Sequence, residues 1–200
     1  MKLPESYYHS ADVITLSKDL IGKYLFTCID SVTTGGYIVE TEAYNGVIDK
    51  ASHAYGNRLT PRTKTMFMHG GIVYIYLCYG IHEMLNIVVS GEGVPHAILI
   101  RAINPTEGLE AMQVRRNMPL VKPTITSGPG SVAKALGISR NINAVSLQSD
   151  TIWIEDRDLT FFDESIAAVP RVGVDYAGED ALLPYRFYIK GNPYVSKPNK

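Results

Sequence analysis

The groups best placed to do chemistry in this 200-residue chain are the two carboxylates of the run Tyr37 to Tyr44, Y-I-V-E-T-E-A-Y. Side chains on a strand alternate with a period of two. Ile38, Glu40, Glu42 and Tyr44 therefore share one face, and Tyr37, Val39, Thr41 and Ala43 share the other. Two carboxylates and a phenol on an otherwise apolar strand are costly if that face is dry and unpaired, so they either face solvent at a sheet edge or line a polar site. With no metal or cofactor motif beside them, hydrolysis by an activated water is the simplest chemistry. A glycosidic bond suits it, because a carboxylate both deprotonates water and stabilises the oxocarbenium charge of the transition state. Sugar hydrolases usually need a second carboxylic acid to protonate the leaving oxygen. An alkylated purine is already a good leaving group, so one carboxylate suffices for it.

Two other features are unusual. From Ala51 to His82 there is no acidic residue, while Arg58, Arg62 and Lys64 cluster near His53, His69 and His82. From Asp150 to Asp180 the balance reverses, with nine acids against Arg157 and Arg171. One face could attract a polyanion, or both stretches could be solvated loops without a partner. The second feature is the turn at Tyr79, Gly80, Ile81 and His82. Hairpin tips are usually small and polar. Either this tip folds under a long loop or it is a wedge meant to enter something apolar, such as a base stack or a membrane.

These groups have to be positioned by an ordinary globular framework of 46% hydrophobic and 20% charged residues with a net charge of −1. That length fits one domain. Three apolar runs, Ile72 to Cys78, Met84 to Val89 and Ala97 to Ile103, read as a meander. Ser10 is the expected N-cap of a helix carrying Val13, Leu16 and Leu20, closed at Gly22. Lys23 to Ile29 reads as a strand and Asp30 to Gly36 as a turn. Asn45 to Met68 is a long loop, of a length that is usually either functional or disordered, and Asn104-Pro105 starts a helix through Asn117. Ser127-Gly128-Pro129-Gly130 opens a short helix, and its exposed N–H groups could hold a phosphate. Thr151 to Glu155 and Tyr185 to Lys190 are further strands, and Arg171 to Val174 a strand end or turn. Cys28 and Cys78 lie in apolar runs without metal or redox spacing and are expected as buried free thiols in a reducing cytoplasm. No signal peptide, membrane span, glycine-rich nucleotide loop or metal-ligand spacing is apparent, so neither a metal nor a cofactor is expected.

The order V-E-T-E-A-Y (Val39 to Tyr44), His53, T-P-R (Thr60 to Arg62), M-F-M, Y-I-Y-L-C-Y-G (Tyr74 to Gly80), Asn86, L-I-R-A, E-G-L-E, S-G-P, R-V-G-V and R-F-Y closely resembles the alkyladenine (3-methyladenine) DNA glycosylase family from about Ser10 to Ser196. The resemblance implies a monofunctional repair enzyme that flips a damaged purine out of duplex DNA and works as a cytoplasmic monomer. Its substrates would be 3-methyladenine, 7-methylguanine, hypoxanthine and ethenoadenine. By position, Glu42 corresponds to the base that activates water, with Arg101 and the backbone carbonyl of Val172 helping to hold that water. Tyr44, His53 and Tyr76 correspond to the pocket that sandwiches the base, and the backbone of Ala51 and His53 to groups that read its edge. Asn86 corresponds to the residue that crowds the amine of normal guanine. Tyr79, with Ile81 beside it, corresponds to the intercalating tip, and Arg58, Arg62 and Lys64 fall where phosphate contacts are expected. The fold implied is a mixed α/β (α+β) domain with a curved, mostly antiparallel, barrel-like sheet and short flanking helices. Two other readings compete with this one. The first is a free-nucleoside hydrolase that uses Glu40 and Glu42 as an acid and base pair. The second is a nucleic-acid-binding module without catalysis.

Overall fold

The computed structural model describes residues 1–196. Helix α1 spans Val13–Asp19, and its N-cap is Asp12 rather than Ser10, because Asp12 Oδ1 accepts hydrogen bonds from the N–H groups of Ile14 and Thr15. Strand β1 (Tyr24–Ile29) is joined to β2 (Val32–Tyr44) by only Asp30 and Ser31, both with positive φ, as a two-residue hairpin of right-handed twist needs. The turn expected over Asp30 to Gly36 is therefore mostly strand. Gly35 and Gly36 read as turn residues in sequence but serve close packing. A Cβ on Gly35 would enter the Phe26 ring, and one on Gly36 would overlap the Asn104 carbonyl.

The meander follows as β3 (Ile72–Cys78), β4 (His82–Val89) and β5 (His96–Glu107). Strand β5 continues through Asn104-Pro105, where a helix start was expected, because Gly36 and Tyr37 of β2 pair with Pro105 and Asn104. Helix α2 (Leu109–Arg116) begins only after Gly108, whose φ is +72°. Helix α3 spans Pro129–Ala135, and β6 (Ile152–Glu155), β7 (Ile166–Val169) and β8 (Arg186–Ile189) complete the elements. Strand β7 carries too short an apolar run to be read from sequence. Arg171 to Val174 forms a turn, and the segment from Asn45 to Met68 is loop with short 3₁₀ turns.

The strands form one antiparallel, curled, half-barrel sheet in the order β3-β4-β5-β2-β1-β6, with β8 bridging β2 and β7. The long strand β2 is its centre. One edge pairs with β5, while the other pairs first with β1 and then, at Glu40 to Glu42, with β8. A position at a solvent-facing edge is thereby excluded for the two glutamates. Ile38 to Ala43 are all buried, since α1 and the main apolar core cover the strand; Thr41 hydrogen-bonds Ser17 of α1. Cys28 and Cys78 are free but only half-buried, less enclosed than expected. Among the described residues no helix is long and apolar enough to cross a membrane.

The close approach of β2 to β5 is testable. Gly36→Ala is expected to destabilise the protein by about 2–4 kcal/mol, since backbone rather than a flexible side chain must yield. An unchanged urea midpoint would contradict the packing.

Candidate active site

Glu42 is fully buried yet borders a cavity of about 510 Å3. Its Oε1 accepts the Val172 N–H at 2.8 Å and lies 3.2 Å from Arg101 Nη1, and its Oε2 accepts the Tyr44 hydroxyl at 2.9 Å. Tyr44 reaches Glu42 because the two are two residues apart on one strand face. Arg101 reaches it through an irregularity. Ile38 pairs with Ile103, Glu40 with Ala102 and Thr41 with Ile100, so Val39 on β2 and Arg101 on β5 fall outside the one-to-one register. Bulges of this kind re-aim a side chain.

Glu40 sits on the same strand but does not line the cavity. Its Oε1 accepts from Arg101 Nε, Arg186 Nε and Ser196 Oγ, each at 2.7 Å, and its Oε2 accepts the Ser196 N–H at 2.7 Å. An acid and base pair of Glu40 and Glu42 would need both carboxyls to reach one substrate, and only Glu42 borders the space.

Tyr44, Ala51, His53, Tyr76, Tyr79, Asn86, Arg101 and Val172 all line this cavity. The His53 and Tyr76 rings lie 4.7 Å apart at 77°, and Tyr74 stands 5.5 Å from Tyr76. The Ala51 N–H is engaged by Asp49 Oδ1 and its carbonyl by the Tyr176 hydroxyl. Asn86 Nδ2 donates to the Tyr74 carbonyl. At the rim, Tyr79 is 90% exposed and Ile81 73%, so the tip does not fold under a loop. Tyr79 also has a φ of +50°, a left-handed conformation uncommon for an aromatic residue.

Of the basic residues, Arg62 lines this cavity and a second one of about 590 Å3, which it shares with Arg58, Lys50 and no acid. Lys64 is exposed and borders neither. Sequence reasoning missed Tyr74, Tyr176 and the buried pair Asp49 and Arg171. Arg171 Nη1 and Nη2 meet Asp49 Oδ2 and Oδ1 at 2.5 and 2.8 Å, and Nη1 also holds the Ala43 carbonyl. The one signal for Asp49 is that it is the last acid before the acid-free segment.

The electrostatics follow from this packing. Arg62 can only donate, so its 3.2 Å contact makes His53 Nε2 the acceptor and leaves Nδ1–H to donate to the Tyr74 hydroxyl at 3.1 Å. Burial, then the charges of Arg62 and Arg58, push the His53 pKa down to about 4. Burial, then Glu42, raises that of Tyr44, which keeps the phenol a donor. Burial opposes the charge of Arg101, but Glu42 and Glu40 more than offset it and hold the guanidinium firmly protonated. The site thus combines one carboxylate bordering the cavity, a fixed cation beside it, and an aromatic chamber large enough for a purine-sized ring.

The sequence profile of the methylpurine-DNA glycosylase family matches residues 6–193. A curated protein of Chlamydia felis, provisionally named 3-methyladenine DNA glycosylase, is 45% identical over 190 residues, covering 94% of this chain and 95% of that one. A Bacillus cereus (strain G9842) protein with the same provisional name is 42% identical over 205 residues, covering 98% of this chain and all of the relative.

The environment of His53 has a measurable signature. Its imidazole is expected to titrate near pH 4 by NMR, and Arg62→Ala should move the midpoint up toward 6.5. Because the folded state disfavours the protonated ring, the contribution of His53 to stability is complete above pH 6.5 and is lost as the pH falls through about 4. A midpoint near 6.5 in the unaltered protein would mean the ring is solvated.

Proposed function

The chain belongs to the methylpurine-DNA glycosylase family, and we propose that it excises damaged purines from duplex DNA by hydrolysing the N-glycosidic bond with water activated by Glu42. The observation that carries this reading is one buried carboxylate on the wall of an aromatic cavity whose rim bears the exposed Tyr79. Extruding a base costs a few kcal/mol, less for a damaged or mispaired one. Stacking on an aromatic ring returns about 1–3 kcal/mol per base. Tyr79, with Ile81 next to it, fills the gap in the duplex, while Tyr44, His53 and Tyr76 receive the base. Arg58 and Arg62, with Lys64 farther out, meet phosphates.

In the chemical step, the N-glycosidic bond breaks and the sugar develops positive charge while Glu42 takes a proton from water. The hydroxide bonds the anomeric carbon, and the purine leaves with the bond's electron pair, neutral at once if alkylated and after taking up a proton from solvent if it is hypoxanthine or ethenoadenine. The Val172 N–H and Tyr44 hydroxyl fix the carboxylate, and Arg101 and the Val172 carbonyl hold the water. Asn86 excludes the exocyclic amine of normal guanine. The backbone of Ala51 and His53 reads the base edge. Substrates on this reading are 3-methyladenine, 7-methylguanine, hypoxanthine and ethenoadenine. Among the described residues no lysine lines the cavity, which supports hydrolysis without a Schiff-base lyase step. The protein acts as a monomer on one lesion at a time.

Release of free hypoxanthine from a hypoxanthine-containing duplex is the direct test. Glu42→Gln is expected to lower the single-turnover rate by about a hundredfold or more while lesion binding stays within a few-fold; undiminished release would remove Glu42 from its role. Tyr79→Ser should weaken both excision from duplex DNA and lesion affinity. A rate and affinity equal to those of the unaltered protein would leave the exposed tip without a part in flipping.

A further inference from the structure

We infer that Glu40 is a positioning residue for catalysis: clamped by Arg186 and Ser196, it holds Arg101 so that this cation stands beside Glu42 without neutralising it. This rests on the reading of Glu42 as the base. Arg101 places Nε on Glu40 at 2.7 Å and Nη2 on Ser196 Oγ at 3.1 Å. Only Nη1 is left toward Glu42, at an ion-pair distance of 3.2 Å. The shorter and better-directed contact of the guanidinium is thus to the carboxylate that does not border the cavity. A charge-assisted hydrogen bond of that length binds its partner strongly. Had Arg101 turned its fork onto Glu42, the carboxylate would be a weaker base.

The clamp on Glu40 is built from distant parts of the chain. Arg186 lies 146 residues on and Ser196 156 residues on. Glu40 and Arg186 are fully buried, and Ser196 and Arg101 are 6% and 7% exposed. The groups facing Glu40 are Arg101 from β5, Arg186 from β8 and Ser196 from the C-terminal segment. Two carboxylates and two guanidiniums balance in the cluster. Removing the Glu40 charge leaves Arg101 with Glu42 as its one anionic partner among the described residues, which deepens that pairing and lowers the proton affinity of Glu42.

The test is the pH dependence of single-turnover hypoxanthine release for the full chain, comparing Glu40→Gln, Ser196→Ala and Glu42→Gln. Glu40→Gln is expected to slow the plateau rate about tenfold and to move the acidic limb of the profile down by about one unit, with lesion affinity within a few-fold. Ser196→Ala keeps the charge balance and removes one hydrogen bond to each of Glu40 and Arg101. It should shift the limb in the same direction by less, and it carries the test if Glu40→Gln does not fold. A purely structural role would lower stability or the amount of active protein without moving the limb. If Glu42→Gln is inert while the limb stays in place in the folded variants, the positioning inference is overturned and the reading of the base stands. Base release by Glu42→Gln overturns both.

Discussion

Two carboxylates on the central strand of the sheet can be buried only because two guanidiniums are buried with them. Each unpaired ion in such a place costs several kcal/mol, and attraction offsets that only when geometry and hydrogen bonding are good. Much of the architecture meets that condition. Arg101 leaves the one-to-one register of β5 to reach both glutamates, β8 joins β2 alongside Glu40 to Glu42 and delivers Arg186, and the chain returns at Ser196 to close the cluster. The same strands supply the cavity wall, so the stability of the centre and the shape of the site have one origin.

Identical side chains two residues apart end in different states. Glu40 is enclosed by donors on both oxygens, whereas Glu42 keeps one side toward the cavity and is held by a backbone N–H and a phenol. Environment alone separates a carboxylate enclosed by donors from one that borders the cavity. A comparable division runs through the aromatic residues. Tyr74 and Tyr76 are walls, while Tyr79 is displayed at a three-residue turn in a left-handed conformation. That conformation costs about 1–2 kcal/mol for a side chain with a Cβ, and strain of this kind tends to gather at functional positions.

Charge is also partitioned. Four of the nine acids from Asp150 to Asp180 are in ion pairs, Lys2 with Asp150, Lys23 with Asp156, Lys18 with Asp163 and Arg157 with Glu155. These exposed or half-exposed pairs contribute little stability individually, but they offset part of that region's negative charge. By contrast, the second cavity groups Lys50, Arg58 and Arg62 with no acid in its lining. The positive field therefore lies beside the aromatic chamber.

The amino-acid order alone carried the meander, the shared face of Glu42 and Tyr44, the aromatic tip and the family resemblance, because each depends on local periodicity or on residue types in a fixed order. It misplaced the start of β2 and the end of β5, where glycines and a proline that usually mark turns instead allow two strands to approach closely. It could not decide whether Glu40 and Glu42 faced solvent or a polar site, or which of the two was open. Those answers lie in partners more than a hundred residues away and in a register irregularity at Val39 and Arg101. Tertiary structure decided them because the cost of a buried charge is set by what packs against it, and strand pairing, not sequence neighbourhood, brings Arg101, Arg186 and Ser196 to the same carboxylate.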